Sequence, residues 1–342
     1  MGREVLKSYE KFTSSSLSAV CLGNFDGVHR GHQKIISTCL DIALRKKQSP
    51  ICFSFDPHPS KILRPDRAPK LILTPEEKLE MLMNFPFSTI INQTFDRRFS
   101  EMSAVHFAEN ILDARLHAKD IVVGRNFRFG KGAAGTPDLL EQYNHWTVDV
   151  VEPIPTQQGN VMSSTRIREW ISSGEIQNAN EALGYHYFLT GIIEPGDGKG
   201  GPLGFHTANL RTEKECLPGN GVYASVYCDL ETGRFFPAAT NVGVRPTLHG
   251  RESKKTIESH LMQFSGDLYS RKARLYLLEK IRDERQFSGL EELRGQIGSD
   301  VQKILDILFA TKIFSAFDAT QSWSLSQSPT LAPFFRSFPR LA

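Results

Sequence analysis

The rhythm of hydrophobic positions changes once along this chain, near residue 184. Before that point, short apolar runs alternate with segments of helical spacing. Residues 18–22, Ser-Ala-Val-Cys-Leu, form a short run ending at Gly23, which predicts a buried strand feeding a loop. From His32 onward, Ile35, Ile36, Cys39, Leu40, Ala43 and Leu44 recur at helical spacing, with Arg45, Lys46 and Lys47 where cations suit the helix dipole. Ile51 to Phe55 is the next strand, so the opening reads as a βαβ unit. Helices are predicted over Pro75 to Met83 and Val105 to Leu116, and strands over Thr89 to Ile91, Ile121 to Val123 and Thr147 to Val151. Such alternation implies a parallel sheet covered on both faces. Its ligands would sit beyond the carboxyl ends of the strands, where the loop after Leu22 lies.

After a helical segment from Ile176 to Leu183, the helices drop out. Segments 187–193, 221–229, 234–240, 256–261 and 273–279 read as strands. Val222, Ala224, Val226 and Cys228 alternate with Tyr223, Ser225 and Tyr227. Strands without intervening helices predict an antiparallel sheet or small barrel. A helix over Leu290 to Phe309 follows. The pattern gives residues 1–183 as one domain and 184–310 as a second. The tail, 311–342, is rich in Ser, Phe and Pro and reads as a loose, disordered extension. No internal repeat is visible.

The strongest local signal is Gly23-Asn24-Phe25-Asp26-Gly27-Val28-His29-Arg30-Gly31-His32, between a strand and a helix. Small residues let the backbone approach a phosphate, and a helix N-terminus offers amide donors. His29 and His32 can donate hydrogen bonds to phosphate oxygens as charge grows on them. A zinc site is the weaker reading, because no third ligand is evident. A second element, Ser163-Ser164-Thr165-Arg166-Ile167-Arg168, opens another helix with hydroxyls and cations suited to phosphate. Taken alone, it is equally an N-cap followed by solvated arginines.

The second half carries a glycine loop from Gly196 to Gly204 that includes Gly198 and Gly200. Its spacing is not that of a Walker A loop, though its amides can cradle phosphate. Thr207 and Asn209 fall on one side of an extended segment and could hold Mg²⁺ through oxygen.

Composition narrows the field. The chain has 342 residues, enough for about two domains, with 40% hydrophobic and 23% charged residues. A net charge of +3 without a basic block argues against a nucleic-acid partner. Five cysteines without C-x-x-C spacing read as ordinary thiols in a reducing compartment. No signal-peptide core and no apolar run of about 18 residues appear, so the expectation is a cytoplasmic enzyme without a membrane partner.

Four ordered motifs resemble one family. The His-x-Gly-His loop and Ser-Ser-Thr-x-Ile-Arg element are similar to the nucleotidyltransferase superfamily. Between them, Phe55-Asp56-Pro57-His58-Pro59 and Gly124-Arg125-Asn126-Phe127-Arg128-Phe129-Gly130 resemble the bifunctional bacterial riboflavin kinase/FAD synthetase family. Asn241-Val242-Gly243-Val244-Arg245-Pro246-Thr247, Thr256-Ile257-Glu258-Ser259-His260-Leu261 and Ile281-Arg282-Asp283-Glu284 continue the match. The resemblance implies a Rossmann-like nucleotidyltransferase domain with a parallel sheet, then a small antiparallel β-barrel kinase domain with a C-terminal helix.

It also implies chemistry. ATP would phosphorylate riboflavin in the second domain, and FMN would attack the α-phosphate of a second ATP in the first. Mg²⁺ would accompany the nucleotide, with riboflavin, FMN, FAD and ATP as small-molecule partners. His29 and His32 would stabilise the phosphates, with Gly23, Asn24, Phe25, Asp26, Gly31, Ser163, Ser164, Thr165, Arg166 and Arg168 around them. Asn126, Arg128 and Arg245 would contact flavin, Glu258 would be the general base, and Thr207 and Asn209 the metal ligands.

The chain departs from the family pattern at three positions. Asn126 stands where Asp is frequent, Gly201 where Arg is, and His206 where Pro is. The last two remove a phosphate contact and a fixed φ beside Thr207. They leave an alternative open, in which the first domain adenylylates FMN and the second binds flavin as a weak kinase. A transferase for pantetheine phosphate or nicotinamide mononucleotide fits the first loop but not the all-β second half. A flavin-binding protein without catalysis conflicts with the intact His29, His32 and Arg168.

Overall fold

The apolar runs of the first half pair as parallel strands, and those of the second half close into a barrel. These features belong to a computed structural model that describes residues 4–156, 159, 161–195, 207–244, 255–264, 266–311, 314–317 and 323–325, the last two as backbone only. Two compact units emerge, 1–164 and 165–342.

In the first unit, β1 (Glu4–Leu6) precedes β2 (Ser18–Leu22), α1 (Arg30–Lys46), β3 (Ser49–Asp56), α2 (Pro59–Leu63), α3 (Pro75–Met83) and β4 (Thr89–Thr94). Then come α4 (Arg97–Ser100), α5 (Ala104–His106), β5 (Ala118–Gly124), α6 (Pro137–Glu141) and β6 (Thr147–Val151). The sheet order is β1-β4-β3-β2-β5-β6, with every pair parallel. The chain runs outward from β2 through β3 to β4, then returns to place β5 on the other side of β2. That reversal makes the carboxyl ends of β2 and β5 the switch point, where open α/β sheets leave a crevice.

Local chemistry explains the helices. Pro75 sits in the first turn of α3, and Thr74 and Glu77 form a reciprocal capping box. The helix predicted over 105–116 is a single α turn that widens into a π-type coil, Phe107–Asp113. This wider coil buries Phe107, Ala108, Ile111 and Leu112 together. Strand β1 is three residues long, too short to show a period in a polar terminus.

The second unit begins with α7 (Ser164–Ser173), whose first residue closes the first unit, and α8 (Ile176–Leu183). Strands β7 (Phe188–Glu194), β8 (Thr207–Arg211), β9 (Gly221–Asp229), β10 (Phe235–Val244), β11 (Lys255–Leu261) and β12 (Lys272–Arg282) follow. They close in the order β10-β11-β8-β7-β12-β9, all antiparallel. The period of two in β9 predicted alternating faces, yet all nine residues are buried, because barrel closure and packed helices cover both. Inside, the hydroxyls of Ser225, Thr240 and Ser259 link three strands at 2.6 and 2.8 Å. Asn180 of α8 ties that helix to β12 by donating to the carbonyls of Leu277 and Leu278.

Helix α9 (Leu290–Ala310) lies against β10, β9 and β12. Its Asp300 accepts a two-pronged ion pair from Arg282 at 2.8–3.1 Å. Within the tail, β13 (Phe314–Phe317) and β14 (Trp323–Leu325) form a two-stranded sheet.

Candidate active sites

The loop after β2 is shaped by its glycines and by two residues in left-handed backbone. Phe25 has φ 52° and Val28 φ 35°, conformations that cost a non-glycine residue energy and need packing to persist. That packing is present: Phe25 and Val28 are completely buried. A Cβ on Gly23 would stand 3.0 Å from the Phe25 ring, and one on Gly31 3.0 Å from the His29 ring. Both glycines are therefore fixed by the loop's own side chains.

His29 is the N-cap of α1, and its Nδ1 accepts the backbone N–H of His32 at 3.3 Å. That bond fixes its proton on Nε2. The His29 and His32 rings stack with centroids 3.7 Å apart, and Phe25 meets His32 edge-on. His32 keeps part of its edge exposed, while its Nδ1 is sealed off without a hydrogen-bond partner. Burial, reinforced by the charge of His29, holds His32 well below the usual histidine range. His32 is thus neutral at rest, at the start of the helix that follows the switch-point loop.

Asp26 is a hub. Its carboxylate accepts the backbone N–H groups of Ile72 at 3.0 Å and Leu73 at 3.3 Å, and its carbonyl accepts the Ser164 hydroxyl at 2.9 Å. One residue thereby ties the histidine loop both to the segment leading into α3 and to the Ser-Ser-Thr element. Lys78 of α3, itself buried, donates to the Phe55 carbonyl beside it. Sequence reasoning did not single out Lys78, and a lysine inside an amphipathic helix gives no local signal. Burial lowers its pKa, against the pull of Asp56 and Asp26.

The other residues expected around the adenylyl site take several positions. The Asn24 carbonyl accepts from Ser54 at 3.3 Å. Asn126 and Arg128 are exposed in the loop after β5, on the other lip of the switch point. Ser163 and Ser164 lead into α7, where Thr165, Arg166 and Arg168 follow. Arg166 pairs with Glu169 at 2.9 Å and lies over Trp170.

In the second unit, register builds the site. Asn209 of β8 stands directly opposite Glu258 of β11, which stands opposite Asn241 of β10. Residues opposite each other in antiparallel strands share a face with Cβ atoms about 5 Å apart. Thr207 stands opposite His260 on that same face. All of these side chains are partly exposed. Below His260, a cavity of about 350 Å³ opens between β11 and α9, lined by Met262, Ile297, Val301, Leu305 and Arg294. No local motif marks it, because its walls come from two segments far apart in the chain. Gly198, Gly200 and Arg245, with Gly201 and His206, lie outside the described residues.

Two family models match, one for each chemistry: FAD synthetase over residues 11–166 and riboflavin kinase over 183–308. The bifunctional riboflavin kinase/FMN adenylyltransferase of Buchnera aphidicola (from Acyrthosiphon pisum) is 34% identical over 86% of this chain and 95% of its own. The chain belongs to the bifunctional riboflavin kinase/FMN adenylyltransferase family. The protein of the same description from Bacillus subtilis is also 34% identical, over 84% of this chain and 92% of its own. A solved structure described as a macrolide-efflux protein from Streptococcus pneumoniae superposes with a TM-score of 0.81 at 27% identity, covering 90% of this chain and 99% of that one. Among the described residues, no helix is long and apolar enough to cross a membrane. The protein is a transferase with both activities: the second unit phosphorylates riboflavin with ATP, and the first adenylylates FMN.

Proposed function

We propose that the two activities run in series on separate side-chain sets, 1–183 serving adenylyl transfer and 184–310 phosphorylation. The observation that carries this is the division of labour: the FAD synthetase match, 11–166, lies almost wholly in the first folded unit and the riboflavin kinase match, 183–308, lies in the second. In the first unit, an FMN phosphate oxygen attacks the α-phosphorus of ATP and pyrophosphate leaves. His29 and His32 donate hydrogen bonds to the phosphate oxygens, and Gly23 and Gly31 let the backbone come close. Ser163 and Ser164 supply further donors, and Asn126 and Arg128 meet the flavin. Asp26 acts through position, since its carboxylate is already engaged by two backbone amides.

In the second unit, the ribityl 5′-hydroxyl attacks the γ-phosphorus of ATP, its proton passes to Glu258, and ADP leaves. Thr207 and Asn209 offer hard oxygen donors on the face that carries Glu258, a set suited to Mg²⁺. When bound, Mg²⁺ would neutralise phosphate charge. The apolar cavity between β11 and α9 suits the flavin ring, one strand step from Glu258. We place the protein in the cytoplasm, on five free, buried cysteines.

The test is a time course with riboflavin, ATP and Mg²⁺ beside one started from FMN, with flavins resolved by chromatography. FAD from both reactions supports the serial reading. FAD from FMN alone means that Gly201 and His206 have silenced the kinase, and FAD from neither overturns the assignment.

A further inference from the structure

Beside Glu258 stands a residue to which nothing above assigns a role. Asn241 faces Glu258 across the β10–β11 pair. Its Nδ2 donates to Glu284 Oε1 at 3.2 Å, while Asn220 Nδ2 donates to the other carboxylate oxygen, Oε2, at 3.2 Å. Glu284 lies two residues past Arg282, the last residue of β12, which is locked to Asp300 of α9. The carboxylate is therefore anchored from behind.

It also lies across the backbone of Gly243. A Cβ there would sit 2.1 Å from Glu284 Oε1. A glycine inside a strand marks such a close approach, and this one explains why Asn241-Val242-Gly243 carries no side chain at its third position.

The consequence for Asn241 is directional. A carboxylate only accepts, so it captures the amide nitrogen and leaves the carbonyl oxygen turned away. Among the described residues, Asn241 Oδ1 has no hydrogen-bond partner, and Asn241 is partly exposed. An oriented acceptor thus stands next to the general base on the face that receives the substrate.

We infer that Asn241 is a specificity residue for the polyol chain of the kinase substrate, accepting a hydrogen bond from a hydroxyl neighbouring the one that Glu258 deprotonates, and that Glu284 is the positioning residue that orients it. A flavin whose side chain lacks that hydroxyl leaves Oδ1 desolvated and unpaired, so the site discriminates against it. The inference rests on Glu258 being the base of this site.

The experiment compares Asn241→Ala, Glu284→Ala, Glu284→Gln, Gly243→Ala and the Asn241→Ala/Glu284→Ala double variant in the full chain. KM and kcat for riboflavin phosphorylation are measured, with FAD formation from FMN as the internal control. Loss of one hydrogen bond should raise KM for riboflavin about five- to tenfold while kcat changes less. Gly243→Ala should reproduce Glu284→Ala, and Glu284→Gln, with its length and one acceptor kept, should fall between wild type and Glu284→Ala. The double variant should be no worse than Asn241→Ala, because both changes remove one interaction.

Losses that simply add would overturn the positioning role, as would a silent Glu284→Ala. An unchanged KM in Asn241→Ala would overturn the polyol contact. Glu258→Ala separates the two levels: if it leaves phosphorylation intact, the site reading itself fails, and if it abolishes phosphorylation while Asn241→Ala does nothing, only this inference fails.

Discussion

The proposed adenylyl-transfer loop and the proposed kinase strand face would solve the same problem, holding phosphate beside a nucleophile, with opposite construction. The loop draws its donors from one continuous stretch, Gly23 to His32. It is sealed from beneath by a fully buried Phe25 and capped onto α1 by His29. The strand face draws Asn209, Asn241 and Glu258 from three separate strands, and they meet only through pairing register. Its side chains stand partly exposed on a barrel whose interior is already stitched by Ser225, Thr240 and Ser259. A loop of the first kind would couple chemistry to folding, because its proposed reactive rings are also its packing. A strand face of the second kind separates them.

The largest expected effect tests that separation. Glu258→Ala should slow riboflavin phosphorylation about 10²–10⁴-fold, the usual share of a general base, with FAD formation from FMN unchanged. Initial rates of FMN and FAD formation on one preparation decide it, and a joint loss would mean the units do not work independently. Next, His32→Ala should slow FAD formation from FMN about 10²–10³-fold and leave the kinase untouched. A loss smaller than tenfold would reduce His32 to a packing ring.

The same contrast explains what could be seen in the sequence. Gly23 to His32 is contiguous, so its strand, turn and helix start could be read from one window, and the β2–α1–β3 order followed from periodicity. The helices at Pro75–Met83 and Ile176–Leu183 and the strand at Thr147–Val151 end where the pattern ends. What stayed hidden depended on pairing between distant segments. The backbone partners of Asp26, Ile72 and Leu73, lie some 46 residues on in the chain, so its tie to that segment could not be read locally. The Glu284–Asn241 contact spans 43 residues, and the cavity beside His260 takes its walls from α9 and from the chain around the end of β11. Both of those sites needed the barrel closed before they could be recognised.

Stability should divide along the same line. Asp26→Ala orphans the backbone amides of Ile72 and Leu73, which are 0% and 2% exposed, and each buried unpaired donor costs about 1–3 kcal/mol. Denaturant unfolding of the first unit should show that loss. Asn241→Ala, on the open strand face, should stay within about 0.5 kcal/mol. Equal losses would erase the distinction between a packed site and a displayed one.

Acid provides the smallest and most discriminating comparison, because each unit holds a histidine whose pKa burial lowers, His32 in the first and His186 in the second, and only His32 lies at a proposed reaction site. In the second unit, His186 Nδ1 is 3.2 Å from Asn180 Nδ2. Asn180 Oδ1 accepts from Tyr187 N at 2.7 Å, which fixes the amide so that its nitrogen faces the ring. An amide nitrogen only donates, so Nδ1 must accept and the imidazole is neutral. Burial pushes His186 down to about 4. The folded value is below the unfolded one near 6.5, so as pH falls the unfolded chain takes up the proton first. Stability is therefore full above about pH 6.5 and declines down to about pH 4, where the folded state also protonates. Between pH 6.5 and 5 the decline is about 2 kcal/mol for His186. His32, also depressed by burial and by His29, should weaken the first unit in the same direction. The two part company when pyrophosphate is added. An anion at the stacked histidines favours the protonated form of His32 and should restore the first unit at pH 5, while the second unit, whose His186 is turned toward Asn180, should melt as before. Calorimetric melts at pH 7 and pH 5, with and without pyrophosphate, read this directly. Rescue of both transitions, or of neither, would mean that His32 does not meet phosphate where the loop geometry puts it.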